Sequence, residues 1–264
     1  MSSAQQPPWQ AAHDAAVHAG EEMYRDPATG YRVFTRLGLL RRARCCASGC
    51  RHCPFDRQGG VTPQPTWRRQ ATGFNKVVDV LSWSGGKDSF LALLALRDEG
   101  VRPTVLLTTH DADSGMIAHQ DIHIDTVAEQ AEALGVDLLS VPLHPSVPYE
   151  DALLFGLEMV GARHRVHRVV FGDLHLEEIR SWREQTFGPW LRAHRSTLHF
   201  PLWHVPTETL LQRLQASGAS VTLSAVPGGH GEVDQPFDAA FVQSLPEGVD
   251  PFGENGEFHT LVRP

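Results

Sequence analysis

The sequence predicts an α/β protein: an open parallel sheet with helices on both faces, preceded by a small cysteine-rich module. Two observations carry this. From residue 77 onward, short apolar runs alternate with helix-period segments, and the runs are continuous enough to be strands buried on both faces. Before residue 57, all four cysteines fall in the stretch Cys45 to Cys53, a local concentration that marks a separate small unit.

At 264 residues the chain can form one domain of ordinary size with a small appendage. No apolar run approaches the roughly 20 residues of a membrane span, so no membrane role is expected. Met1 to Gly20 has neither the charged start nor the apolar core of a secretory signal, and a cytoplasmic protein with reduced thiols is expected. The net charge of −8 argues against bulk affinity for nucleic acid, but residues 25–57 carry eight Arg against Asp26 and Asp56. That local excess reads either as solvated charge or as a contact to RNA or an acidic partner. Only Lys76 and Lys87 among 23 basic residues are lysines, so Lys87 reads as a chemical requirement rather than as generic charge.

Residues 1–24 are expected to be a polar tail with a short helix between Trp9 and Met23. A turn marked by Asp26-Pro27 and Thr29-Gly30 leads into a short strand and a Cys-rich module over 25–56. Its CCx3Cx2C spacing places Cys45, Cys46, Cys50 and Cys53 close enough to hold Zn²⁺ or an iron–sulfur cluster, with His52 as a substitute ligand; unligated thiols or a redox pair are the alternative. Residues 57–74, rich in Gly, Pro, Gln and Thr, read as a linker, and 75–264 as the α/β domain. Strand 77–82 feeds helix 88–99, which Gly100 ends. Strand 104–109, a helix near 122–134, strand 137–143, helix 149–163, strand 169–171 and helix 176–193 continue the alternation. A strand near 196–201, helix 206–217 and strand 220–226 come next. The tail from Asp250 to Val262 reads either as a C-terminal hairpin turned at Asn255-Gly256 or as a substrate or metal loop.

Strand 77–82 runs into Ser82-Trp83-Ser84-Gly85-Gly86-Lys87-Asp88-Ser89. Two glycines let successive N–H groups converge on one anion, the helix N-terminus adds positive potential, and Lys87 adds a full charge. The hydroxyls of Ser84 and Ser89 can donate to phosphate oxygens, and Asp88 beside phosphates makes sense with Mg²⁺. The loop fits neither GxxxxGK[ST] nor GxGxxG. Of the histidines, only His259 stands in an acidic loop that singles it out.

SGGKDS at the end of a first parallel strand resembles the loop of the PP-loop, N-type ATP pyrophosphatases, the group with GMP synthetase, argininosuccinate synthetase and tRNA thiolation enzymes. Asp111-Ala112-Asp113-Ser114-Gly115-Met116, Phe171-Gly172-Asp173-Leu174 with Arg180 and Arg183, and Gly253-Glu254-Asn255-Gly256-Glu257-Phe258-His259-Thr260 narrow the likeness to the diphthine–ammonia ligase family over residues 76–264. The resemblance implies an adenine nucleotide alpha hydrolase-like (HUP) fold and an AMP-forming ligase that adenylates a carboxylate, releases pyrophosphate and forms an amide with ammonia. It implies ATP at Ser82, Ser84, Gly85, Gly86, Lys87, Asp88, Ser89, Thr108 and Gly172, with Lys87, Asp88 and Asp173 catalytic. Asp113, Arg180, Glu254, Glu257 and His259 would contact a small-molecule or protein carboxylate acceptor. The cysteine module lies outside that pattern and resembles short oxidoreductase-like cysteine domains. Two alternatives stand beside the ligase: a tRNA-modifying sulfur enzyme with an iron–sulfur cluster, and a non-catalytic adenine-nucleotide sensor.

Overall fold

The computed structural model describes residues 7–42, 44–53, 60–61, 64–100, 102–145 and 147–264. The N-terminal part contains α1 (Pro8–His18), β1 (Met23–Arg25), β2 (Arg32–Phe34), α2 (Arg36–Leu40), β3 (Arg44–Cys45) and β4 (Gly60–Val61). After β5 (Thr66–Arg69) come β6 (Val77–Ser82), α3 (Lys87–Glu99), β7 (Thr104–Asp111), β8 (Met116–Ile117), β9 (Ile122–His123), α4 (Ile124–Leu134), β10 (Asp137–Leu143) and α5 (Tyr149–Gly161). The chain continues through β11 (Arg165–Val170), α6 (Glu177–His194), β12 (Thr197–His199), α7 (Thr207–Ala216), β13 (Ser220–Ala225), α8 (Ala239–Ser244) and β14 (His259–Arg263).

Six strands form one sheet in the order β12-β11-β6-β7-β10-β5. The five strands β12, β11, β6, β7 and β10 are mutually parallel, as their apolar runs predict, and β5 pairs antiparallel on the edge of β10. The segment read as a linker thus supplies a strand. Its alternating exposure, with Trp67 and Arg69 half-buried between exposed Thr66 and Arg68, suits an edge position. Buried Asp137 anchors the turn after β5 by accepting the N–H groups of Ala71 and Thr72 at 2.5 and 3.1 Å.

Period-two alternation sorts the strand side chains onto two faces. Leu81, Leu106 and Leu138 pack with α3, α4, α7 and the C-terminal segment. Val80, Val105, Leu107 and Leu139 pack with α5 and α6. Val17 of α1 and Leu37 and Leu40 of α2 join this second core, and Arg41 ion-pairs with Glu158 of α5 at 3.1 Å. The N-terminal helix, expected up to Met23, stops at His18 because Met23–Arg25 is taken into pairing with β2.

The chain travels from β6 to β7 to β10 in one direction along the sheet, then returns through α5 to place β11 on the other side of β6. The order therefore reverses between β6 and β11, and the crevice beyond their carboxyl ends is where open α/β sheets bind ligands. Asn255-Gly256 does not close a two-residue hairpin. β13 and β14 do pair antiparallel, but residues 226–258 connect them and include α8. No helix among the described residues is long and apolar enough to cross a membrane.

Candidate functional site

At the end of β6 the chain turns through Gly85, whose φ of 85° lies in the left-handed region that glycine tolerates. Gly86 precedes α3 in an extended conformation and supplies no side-chain cap to the helix N-terminus. The loop carbonyls are occupied from within the protein. Gly85 O accepts from Val262 N at 3.0 Å and from Gln130 Nε2 at 2.9 Å, and Gly86 O accepts from Ser89 Oγ at 2.9 Å. The N–H of Lys87 donates to Thr260 Oγ1 at 3.0 Å. The C-terminal strand is thus laid directly against the loop.

Lys87 is buried. Its ammonium lies 2.9 Å from Asp88 Oδ2 and 5.1 to 5.7 Å from the ring centroids of Phe237, Phe252 and Phe258. A cation among three ring faces and one carboxylate is held electrostatically, and all three rings come from the segment between β13 and β14.

A cavity of about 600 Å³ opens over the carboxyl ends of β6, β7 and β11. From the loop, Ser82, Trp83, Ser84, Asp88 and Ser89 line it, while Gly85, Gly86 and Lys87, also expected at the site, are absent from the wall. Leu107 and Thr109 of β7 face it, while Thr108, the residue expected there, is buried and absent from the wall. Adjacent strand residues point to opposite faces, so Thr109 rather than Thr108 turns to the cavity. Gly172 lies where a Cβ would stand 2.7 Å from Asp88 O and 3.2 Å from Ser89 N. Glycine is needed for this close approach rather than for its φ. Gly172→Ala is expected to push the start of α3 away from the cavity, with a few kcal/mol lost in stability; thermal melting measures the loss.

Carboxylates dominate the electrostatics. Glu254 is pushed up to about 8 by burial and then by Asp88, with Lys87 opposing and Asp250 and Asp173 adding to the rise. Asp88 is also raised, by burial, against the pull of Lys87. Its Oδ1 is buried with no hydrogen-bond partner. A cavity wall that holds an orphaned carboxylate oxygen and a second carboxyl that resists ionisation is short of positive charge. Asp88 and Glu254 therefore fit a Mg²⁺ ion, a hard cation that takes oxygen ligands.

Asp173 does not cap α6, which starts at Glu177 after Leu176. Its carboxylate is bidentate to Arg183 at 2.5 and 2.9 Å, and the guanidinium lies 3.8 Å over Phe171. Arg183 lines the cavity; Arg180 does not, being held over Trp203 and paired with Glu184. Glu257 is also outside the cavity wall. It accepts the N–H groups of Asp250 and Asn255, both at 3.0 Å, which organises the turn and holds its carboxyl below the usual range despite partial burial.

His259 lines a second cavity of about 630 Å³, which shares Ile117, Ala118, His119 and Leu143 with the first. Burial and neighbouring His119 lower its pKa, favouring the neutral imidazole. Asp113 is exposed and lines neither cavity; its N–H donates to Asp111 Oδ1.

The cysteine expectation finds no geometric support: among the described residues no group of three or more His, Cys, Asp or Glu side chains is placed to hold a metal ion. Cys46 is exposed and Cys50 and Cys53 are half-buried, while the side chain of Cys45 lies outside the described residues. Hydrogen bonds from Ser48 lower the Cys46 thiol, and burial raises Cys50. His52 stacks on His13 at 3.8 Å and meets the Tyr24 hydroxyl at 3.0 Å instead of turning to the thiols. Burial lowers it to about 4, with His13 and Arg51 adding to the shift.

Three contributors went unread in the sequence: Gln130, Thr260 and the phenylalanine cage. For Gln130 a signal exists, since a polar residue interrupts the buried face formed by Ile124, Val127 and Ala131 on α4. For the others the contacts span more than 140 residues, and no local pattern announces them.

Residues 76–187 match the family described as diphthamide synthase N-terminal domain. Residues 12–59 match a family of unknown function, DUF5522, which lends no support to an oxidoreductase-like module. Among solved structures, the chain is similar to a predicted subunit of tRNA methyltransferase from Methanocaldococcus jannaschii, with 17% identity, a TM-score of 0.40 and coverage of 70% of this chain and 95% of that one.

Proposed function

We propose, from the match of residues 76–187 to the diphthamide synthase N-terminal domain and the likeness of SGGKDS to the PP-loop ATP pyrophosphatases, that this protein is an ATP-using, AMP-forming amide ligase. The observation that carries the reading is the union, in one cavity at the sheet's reversal point, of the loop hydroxyls of Ser84 and Ser89, the carboxyls of Asp88 and Glu254, and the Asp173–Arg183 pair. ATP would lie with its β and γ phosphates against the first turn of α3 and the hydroxyls of Ser84 and Ser89, with the base toward Leu107 and Thr109. Asp88 and Glu254 would hold Mg²⁺, whose charge screens the polyphosphate when it is bound.

A carboxylate oxygen of the acceptor then attacks the α phosphorus, and the α–β bridging oxygen leaves with pyrophosphate. Lys87 stabilises the negative charge that gathers on this leaving group. Arg183, fixed in orientation by Asp173, is placed to hold the acceptor carboxylate in the same cavity. Ammonia displaces AMP from the acyl-adenylate, giving the amide, AMP and one proton. The acceptor is a carboxylate of a small molecule or a protein, and the Arg-rich N-terminal part offers it or an RNA a contact surface.

Incubation with ATP, Mg²⁺, ammonium and a carboxylate mixture from cell extract is expected to yield AMP and pyrophosphate in equal amounts, and labelled pyrophosphate to exchange into ATP. Formation of ADP and phosphate in their place removes the ligase reading.

A further inference from the structure

Gln130 belongs to α4, yet all its polar atoms serve other parts of the chain. Its Nε2 donates to Gly85 O at 2.9 Å and to Val262 O at 2.6 Å, and its Oε1 accepts from Trp83 Nε1 at 2.9 Å. The indole can only donate and the two carbonyls can only accept, so the orientation of the amide is forced. Gln130 is 3% exposed. On a face otherwise made of Ile124, Val127 and Ala131, an aliphatic residue would pack α4 equally well, so the helix itself gives no reason for an amide.

The reason lies in the loop. An anion-binding turn must show its N–H groups to the ligand and keep its carbonyl oxygens away, because a carbonyl facing phosphate repels it. A carbonyl turned inward to the protein needs donors, or its burial is costly. Gly85 O receives two, one from Gln130 and one from Val262 N at 3.0 Å. The same amide holds Val262 O, so one side chain clamps the loop and the C-terminal strand together. The space beside Gly85 is also closed by this residue: a Cβ there would stand 3.1 Å from Gln130 Oε1.

We propose that Gln130 is a positioning residue for ATP, locking the Gly85 peptide in the orientation that presents the loop to the phosphates; this rests on the reading of the cavity as an ATP site. Its effect passes through the backbone of residues 83–86 and through β14, with no contact to the nucleotide.

The test is binding of α,β-methylene-ATP with Mg²⁺ by titration calorimetry, from pH 6 to 9, alongside thermal melting, for the parent, Gln130→Met and Gln130→Glu. Methionine keeps the length without donors and is expected to weaken binding about tenfold or more at every pH. The groups hydrogen-bonded to the amide are an indole and two backbone carbonyls, none of which titrates in this range. A carboxyl introduced by Gln130→Glu should therefore report only its own proton. Ionised, it repels both carbonyls; protonated, it regains one donor, so the binding deficit should shrink as pH falls. A lowered melting temperature with unchanged affinity in both variants, or a Gln130→Glu deficit that does not vary with pH, overturns the inference and assigns the residue to stability alone. If the parent itself fails to bind the analogue, the ATP reading falls and takes this inference with it.

Discussion

Lys87→Ala is expected to reduce AMP and pyrophosphate formation by on the order of 10²–10³-fold, the loss that results from removing one preorganised charge at a developing anion. The chain uses lysine twice among 23 basic residues, and the environment of Lys87 explains why arginine cannot stand here. Three ring centroids at 5.1 to 5.7 Å and one carboxylate oxygen at 2.9 Å enclose a compact ammonium. A planar guanidinium presents a wider fork and would have to displace Phe252 or Phe258, both nearly fully buried. Lys87→Arg is therefore expected to be as inactive as Lys87→Ala, although the charge is kept. Asp88→Asn, which retains the shape of the partner while removing its charge, should lose turnover on the same scale. Single-turnover formation of AMP measures all three. Normal product yield from Lys87→Arg would show that the cage is packing only, and a parent that binds ATP but forms no product would leave the sensor as the reading.

The parallel core was legible because its information is local. Residues 77–82, 104–109 and 137–143 are each dominated by Val and Leu, and each is followed by a helical segment, so both strand identity and two-sided burial could be read within a short window. The loop was legible for the same reason. The features that escaped lie at long sequence separation. Thr66–Arg69 shows no strand signal stronger than its Pro-rich surroundings and becomes a strand only because β10 offers an unpaired edge. Thr109 rather than Thr108 turns to the cavity, and the composition of a strand does not say which face does so.

The C-terminal tail shows the limit most clearly. Its acids and glycines suggested a site loop or a hairpin, and the fold uses the segment in several ways at once. Thr260 and Val262 brace the phosphate loop, Phe252 and Phe258 enclose Lys87, Glu257 ties the turn, and Glu254 reaches the cavity. The four cysteines are the converse case. Their spacing suits either a metal site or unligated thiols; among the described residues no group of three or more ligating side chains is placed to hold an ion, and His52 is engaged with His13 and Tyr24.

Glu254→Gln is expected to flatten the dependence of stability on pH. In the native protein the Glu254 carboxyl is held at about 8 by burial and by the neighbouring carboxylates Asp88, Asp250 and Asp173, with Lys87 opposing, against an ordinary value of 4.5. Between these two values the folded chain keeps a proton that the unfolded chain has released. Stability therefore falls as pH rises through that window and levels off above it, where both states are ionised. Glutamine has no proton to lose, so the variant should melt several degrees above the parent at pH 9, by roughly 5 °C for a chain of this size, and the gap should close toward pH 5. Mg²⁺ sharpens the test. If Asp88 and Glu254 hold the ion together, added Mg²⁺ should raise the melting temperature of the parent most at alkaline pH, where the carboxyl is ionised, and should do much less for the variant. Parallel melting curves for parent and variant across pH 5 to 9 would show that Glu254 ionises as an ordinary surface carboxyl, and a Mg²⁺ response that survives Glu254→Gln unchanged would place the ion elsewhere in the cavity.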